Sequence, residues 1–481
     1  MRTRTTFLLL ILSILPGILQ AAPLALRVVG NKVYDSNDCL IRLKGVNIPS
    51  MEWRDTGEGP AGSGVYPITV TVNEVLTNWG TNIVRLPMSQ DFWFGYTNSK
   101  DGSVNMNTYR GIVDSIVNMC SAANAYVLLD LHWSGTGSWG TATDIWGMPD
   151  NNAVTFWTDV ATRYANNPAV LFDLYNEPHG TSWNIWRDGG TFGSFNTPGM
   201  QALLNAVRAT GAMNAVVVGG LDWAYDLRGI VPGYAGRTNG WALTESGGNG
   251  LIYATHIYPW KATPWDNYIT VLKSYHPILV GEVGQERDGL RQFTGGIVSV
   301  LNWMDLHQYH WTGWSMHTGA SPCMISDWTF SPTTYEGVDM KARLLATSSG
   351  QGCATPTPTA TPTSTPTPCY VASAVPCSPT PTWTPTPGNG VEDIVLYPNP
   401  VQEGETVMFW VNFPKPAAEL TVRFYTPSSR LVATKRLTQV ASGGYTLTLR
   451  DDKERLLANG VYYLKFSTTT KERVCKLLVL R

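Results

Sequence analysis

The sequence predicts an α/β fold, a (β/α)8 TIM barrel, followed by a linker and a small all-β sandwich. Three observations carry that prediction. Strand-like and helix-like patterns alternate from Leu40 to Ala346. A Thr/Pro-rich segment then interrupts the pattern, and after Val391 the hydrophobic period changes to two. Strands that alternate with helices are joined in parallel by right-handed crossovers, and eight such units close into a barrel with its chemistry at the carboxyl ends of the strands. A doubly wound open sheet would want a glycine-rich phosphate turn after an early strand, and the sequence has none.

The chain opens with Met1-Arg2-Thr3-Arg4, an apolar run from Phe7 to Leu19, and then Gln20-Ala21-Ala22. A basic start, a short apolar stretch and a small-residue exit read as a secretory signal over residues 1–25, cleaved near Ala21 or Ala25. Leu26 to Asn47 reads as a hairpin followed by the first long strand, Leu40 to Val46, with turn residues at Asn31 and Asp35-Ser36-Asn37-Asp38. Thr81 to Leu86 is the second strand. The helix after it carries Tyr109, Ile112, Val113, Ile116, Val117 and Cys120 on one face. Ala125 to Leu131 is the third strand, and the helix after Asp150 aligns Val154, Trp157, Val160, Ala161 and Tyr164. The Val170 strand comes fourth. Thr197-Pro198 then starts a helix bearing Met200, Leu203, Leu204 and Val207. Asn214 to Val218, Leu251 to Thr255, the Ile278 run and Tyr309 to Trp314 complete the eight strands, with helices over Leu290 to Leu306 and Val338 to Ala346.

Two of these strands deliver acids. Val170-Leu171-Phe172-Asp173-Leu174-Tyr175 has the composition of a buried parallel strand and ends at Asn176-Glu177-Pro178, where the proline stops the ladder. Pro277-Ile278-Leu279-Val280-Gly281-Glu282 has the same form. One glutamate after an apolar strand is equally well a cap or an ion-pair member. Two carboxylates at the same end of one barrel are what glycosidic bond hydrolysis needs, one as acid and the other as nucleophile or base.

Composition narrows the function further. The formal charge of −2 argues against a nucleic-acid or polyanion partner. Tryptophan is abundant, at 19 residues, which calls for aromatic packing or ligand stacking. No segment after the signal has the roughly 18 uninterrupted apolar residues of a membrane span. The seven cysteines show no Cys-x-x-Cys or His-cluster spacing, so no metal or cofactor is expected. Cys369 and Cys377 lie close together in the linker and form the expected pair, while Cys120 reads as a buried thiol. Residues 353–390 alternate Thr and Pro and read as an extended linker between a barrel domain at 26–352 and a sandwich at 391–481.

The strand-end residues, taken in order, resemble the catalytic domain of glycoside hydrolase family 5, the large cellulase family of retaining barrel enzymes. The resemblance covers about residues 26 to 350 and rests on Arg85 at the second strand and His132 in Asp130-Leu131-His132 at the third. It continues with Asn176-Glu177 at the fourth, His256-Ile257-Tyr258 at the sixth, Glu282 at the seventh and Trp314 at the eighth. It implies Glu282 as nucleophile and Glu177 as acid/base. Arg85 and Tyr258 would keep Glu282 ionised, Asn176 would hold the sugar 2-hydroxyl, His132 and His256 would bind hydroxyls or orient carboxylates, and Trp133 and Trp314 would lie against substrate. The implied activity is a secreted endo-β-1,4-glucanase acting as a monomer on a polysaccharide, with β-mannanase and xyloglucanase as siblings on the same catalytic set. A glycan-binding surface protein on a dead barrel would have lost one of the two glutamates, and an aldolase-type barrel would want a strand-end lysine or a phosphate loop. Of the loop tryptophans Trp53, Trp93, Trp139, Trp146, Trp183, Trp186, Trp223, Trp260 and Trp265, some are packing and several stack on sugar rings. The C-terminal part, with Tyr397-Pro398-Asn399-Pro400, Asn459-Gly460-Val461-Tyr462-Tyr463 and the terminal Lys476 to Arg481, resembles the immunoglobulin-like sorting domains of bacterial envelope proteins. That likeness implies cell-surface attachment or an envelope secretion machinery as partner; a plain spacer or a carbohydrate-binding module are the alternatives.

Overall fold

A computed structural model of the chain describes residues 22–346, apart from 62–65, 166 and 288–290, together with eight strands and some of their connections between 394 and 480. Residues 1–21 of the expected signal segment, the linker and the Cys369–Cys377 pair lie outside the described residues. The chain divides into two compact units at Thr359 and Ala360.

In the first unit, eight parallel strands form a closed barrel. They are β1 (Lys44–Asn47), β2 (Ile83–Ser89), β3 (Tyr126–Trp133), β4 (Val170–Asp173), β5 (Val216–Gly219), β6 (Leu251–Ile257), β7 (Ile278–Val283) and β8 (His310–Gly313). Around them lie α1 (Pro67–Asn78), α2 (Gln90–Trp93), α3 (Met106–Ala122), α4 (Asn152–Tyr164), α5 (Trp183–Asp188), α6 (Gly199–Ala209), α7 (Ile297–His307) and α8 (Gly337–Leu345). The expected alternation is incomplete. No α-helix links β5 to β6 or β6 to β7 among the described residues; single 3-10 turns such as Arg228–Ile230 and Trp265–Asn267 stand there instead. The first strand is also shorter than expected, because Leu40 and Ile41 turn back to the N-terminal hairpin: Tyr34 bridges to Leu40, and the Ile41 amide donates to the Val33 carbonyl.

Side-chain alternation along the strands sorts residues into two apolar layers. Val84 and Leu86 on β2, Val127, Leu129 and Leu131 on β3, and Val170 and Phe172 on β4 pack outward against the helices. Ile83, Leu128, Leu171, Val217, Ala254 and Leu279 form a separate cluster with Leu26 and Val33 of the N-terminal hairpin (Leu26–Val29 with Lys32–Asp35). These inward residues close the amino end of the barrel. One step toward the carboxyl end, the same inward rows carry Arg85, Asp130, His132 and Asp173, so the polar site rests on an apolar plug.

The second unit is all-β. Ile394–Tyr397, Thr406–Val411 and Gly443–Thr448 make a three-stranded antiparallel sheet, and Val401–Gln402, Glu472–Leu480, Gly460–Ser467, Ala417–Tyr425 and Leu431–Val440 make a five-stranded one. Leu420, Val422, Phe424, Leu447, Leu464 and Phe466 share its core. Leu431–Val440 forms a strand without a clean period-two pattern. Its Lys435, Arg436 and Thr438 interrupt the apolar alternation, and Leu431 and Arg436 are exposed.

Candidate active site

Arg85 is the hub of the site. It projects inward from β2, is fully buried, and spends its guanidinium on five partners. Nε donates to Asp173 Oδ2 at 3.0 Å, Nη1 to Asn47 Oδ1 at 3.0 Å and Glu282 Oε1 at 2.9 Å, and Nη2 to Asn176 Oδ1 at 2.9 Å, while Nη2 also forms an ion pair with Asp130 Oδ2 at 3.0 Å. Burial alone would discharge such a group, but three adjacent carboxylates overcome it and raise its pKa. One cation facing three buried acids leaves excess negative charge. Burial therefore pushes Asp173 well above the usual carboxylate range and Asp130 up to about 7.

Glu282 enters the barrel through an irregularity. Strict alternation after inward Leu279 would aim Glu282 outward. The register with β6 slips by one, so that Thr255 faces Val280 while His256 faces Glu282, and Gly281 is the extra residue. A side chain at Gly281 would approach His256 Nε2 to 3.0 Å, which is why glycine stands there. The Gly281 carbonyl is fixed by Asn47 Nδ2 at 3.0 Å and by the Thr312 hydroxyl at 2.5 Å. Glu282 then takes Arg85 on one oxygen and the Tyr258 hydroxyl, at 2.6 Å, on the other. The pKa of Tyr258 is driven well above its ordinary value, first by burial and then by Glu282 and Glu177, so it keeps its proton and donates.

Glu177 leaves β4 at the same end of the barrel, and burial raises its carboxyl. His256 Nδ1 lies 2.9 Å from Glu177 Oε1 and 3.6 Å from Glu282 Oε2. Burial lowers His256 to about 3, so both contacts involve a neutral imidazole. His132, lowered to about 4 by burial, is likewise neutral. Its Nδ1 lies 2.6 Å from Asp130 Oδ2 and its Nε2 3.3 Å from Asn176 Nδ2. The consistent assignment has His132 donating to Asp130 and accepting from Asn176. Trp314 lies parallel to His132, with centroids 5.6 Å apart. Trp133 stands at the rim beside Trp53, 6.4 Å away, with Lys100 Nζ over its face.

Ligand atoms of Glu177, His256 and Glu282 all lie within 4.8 Å of one another. Among the described residues this is the one group of His, Cys, Asp and Glu close enough to grip a cation, and a cation there would pair with both glutamates at once.

All nine residues named from the sequence thus gather at the carboxyl end of the barrel. Sequence reasoning missed Asn47, Asp173 and Glu52. Asn47 and Asp173 are polar endings of otherwise apolar strands, a signal that could have been read. Glu52 is buried behind the site; its Oε2 accepts from the Ser50 amide at 2.7 Å, and burial raises it to about 8. No pattern in the sequence distinguishes it from a surface acid. Of the loop tryptophans, Trp93 and Trp186 are fully buried, Trp183 and Trp265 pack against the core, and Trp223 and Trp260 are exposed.

Residues 39–320 match the family model described as cellulase (glycosyl hydrolase family 5). The chain belongs to glycoside hydrolase family 5. Among curated relatives, it is 30% identical over 254 residues to "Endoglucanase 1" of Saitozyma flava, covering 52% of this chain and 64% of that protein. It is 29% identical over 191 residues to "Manganese dependent endoglucanase Eg5A" of Phanerodontia chrysosporium, covering 38% and 45%. The matched part thus spans between about half and two thirds of those two proteins. The fold is similar to that of a β-glucanase from Saccharophagus degradans solved with cellotetraose, at 23% identity and a TM-score of 0.52, covering 68% of this chain and 94% of that one.

Proposed function

We propose that the protein is an exported, retaining endo-β-1,4-glucanase. The observation that carries the mechanism is the approach of Glu177 and Glu282, with ligand oxygens within 4.8 Å. Retaining glycosidases hold their carboxyl groups about 5–5.5 Å apart, whereas inverting enzymes need roughly 6.5–9.5 Å to admit water. On this reading Glu282 attacks the anomeric carbon while protonated Glu177 gives its proton to the leaving oxygen. Glu177, now a carboxylate, takes a proton from the water that hydrolyses the glycosyl ester. Arg85 and Tyr258 support Glu282 as an anion and as a leaving group. Asn176, held between Arg85 and His132, is presented to the sugar 2-hydroxyl. The substrate class rests on the family and on the endoglucanase names of its curated relatives. Export rests on the basic-then-apolar N-terminus, and envelope sorting on the motifs of the C-terminal unit.

The test is reducing-sugar release from carboxymethylcellulose, barley β-glucan, galactomannan, xyloglucan and xylan, with the product anomer followed by NMR. The expected result is turnover of the first two with net retention. Preference for galactomannan or xyloglucan would move the substrate to a sibling activity, and inversion would sink the mechanism. Azide should rescue Glu177→Ala by attacking the glycosyl-enzyme to give a β-glycosyl azide, whereas any rescue of Glu282→Ala should give the α-azide by a single displacement; a β-azide from Glu282→Ala would reverse the two roles.

A further inference from the structure

We infer that a cavity in the floor of the barrel, lined by Lys32, Lys273 and His310, binds a small tetrahedral oxyanion of the phosphate or sulfate type. The cavity opens where β7 and β8 begin, beside the N-terminal hairpin and the last turn of α7, at the end of the barrel opposite the glutamates. Nothing in it depends on the glycanase reading.

The space is about 80 Å³. That is far below the roughly 300–1,000 Å³ of pockets for organic ligands, and it suits one small ion. No aspartate or glutamate stands among its described lining residues. The two acids nearby are turned to other groups. Asp305 Oδ1 pairs with Arg42 at 2.8 Å, and Asp266 Oδ1 lies 3.3 Å from His307 Nε2. Arg42, on the same wall, also donates to the carbonyls of Tyr309 and Met304, at 3.0 Å each.

His310 is the observation that decides for an anion. The ring is 6% exposed. Its Nδ1 accepts the Leu43 amide at 3.0 Å. Burial first, then the charges of Arg42 and Lys32, lower its pKa to about 3, so the ring is neutral and its one proton sits on Nε2. No described residue accepts that proton. A buried N–H without an acceptor costs free energy that an anion's oxygen recovers. Lys32 reaches the cavity from the hairpin, and no described carboxylate pairs with it. Lys273 adds a second ammonium, with Nζ 3.3 Å from His307 Nδ1. Burial, then Lys273, lowers His307 to about 4, so this imidazole accepts from the lysine and donates to Asp266. A wall of N–H donors without a carboxylate repels a metal cation. A tetrahedral oxyanion has enough acceptor oxygens to meet Lys32, Lys273 and His310 Nε2 together, and charge-assisted bonds of that kind are the strong ones. Bound there, it would join the N-terminal hairpin to the strand ends of β7 and β8.

The experiment titrates inorganic phosphate into the full-length protein at neutral pH and constant ionic strength, by calorimetry and by thermal melting. Wild type is compared with Lys32→Met and His310→Asn; Lys32 is exposed, and asparagine keeps an acceptor for the Leu43 amide. The expected result is one phosphate per chain with a Kd on the order of 1 mM. Sulfate should displace it, the melting temperature should rise to a plateau, and each variant should weaken binding at least about tenfold. Turnover of soluble β-glucan by Lys32→Met should stay at the wild-type level. No saturable binding to wild type overturns the inference. So does equal binding by wild type and Lys32→Met, which marks an adventitious ion elsewhere. A melting temperature that climbs without a plateau, and equally in all three proteins, is the general effect of excluded salts and also overturns it.

Discussion

Arg85 shows how one residue organises a site that no single motif spells out. Its four hydrogen bonds and one ion pair reach β1, β3, β4 and β7, so the four strand ends are held in register by one guanidinium. The pKa of Glu177 is raised by burial, and on the proposed mechanism Glu177 serves as acid only in its protonated form. We therefore expect kcat/KM to fall as pH rises through that elevated value, and the alkaline limb to vanish in Glu177→Ala assayed with an aryl glycoside whose leaving group needs no proton. A limb that survives in the variant would belong to another group. Glu52 gives a stability counterpart. Its folded value is raised from 4.5 to about 8. A raised carboxyl contributes stability in full below its unfolded value and loses it as pH rises through the folded one, here between 4.5 and about 8. Gln keeps an acceptor for the Ser50 amide without the charge. Glu52→Gln should thus gain on wild type by something on the order of 3 kcal/mol between pH 5 and pH 8, read from chemical denaturation at both values. Equal stability at the two pH values would show that Glu52 is solvated or paired.

At the scale of elements, the strands with continuous apolar runs were legible, and so were their polar endings: Arg85, His132, Asn176-Glu177 and His256 lie where alternation and chain order put them. What alternation could not show is why Glu282 points inward. Period two would aim it outward, and only the one-residue slip at Gly281 corrects the direction. The two crossovers without helices were hidden for a related reason: a loop of single 3-10 turns has no period to detect. The slip makes a sharp prediction. Gly281→Ala places a methyl 3.0 Å from His256 Nε2, in a wall where Asn47 and Thr312 fix the backbone. The variant should fold, because the outer layer of β7 is untouched, but lose roughly 100-fold or more in kcat, the scale expected when reacting groups shift by about 1 Å. Wild-type kcat in Gly281→Ala would mean that the imidazole yields at no cost to the pair of glutamates.

For the molecule as a whole, the question is what the barrel requires from the rest of the chain. The two compact units meet within the Thr/Pro-rich segment, whose composition offers few apolar groups for either side. The barrel unit should therefore keep its kcat/KM on soluble β-glucan when the C-terminal unit is removed, but the place of the cut matters. Cys39 is disulfide-bonded, while Cys120 and Cys323 are free and buried. The other four cysteines of the sequence are Cys353, Cys369, Cys377 and Cys475, and Cys353, which directly follows the barrel domain, is the partner we expect. A chain ending at Thr359 retains that cysteine; one ending at Ser349 removes every candidate and leaves Cys39 as a thiol near the hairpin that closes the barrel floor. Loss of a native disulfide costs about 2–5 kcal/mol. Under oxidising conditions the longer chain should melt several degrees above the shorter one, and in reductant the two should coincide. Titration of thiols in the denatured, unreduced proteins should find one more in the chain ending at Ser349 than in the chain ending at Thr359. One thiol fewer in the chain ending at Ser349, three against four, would place the partner of Cys39 beyond Thr359, and equal melting without reductant would show that the bond does not support the barrel.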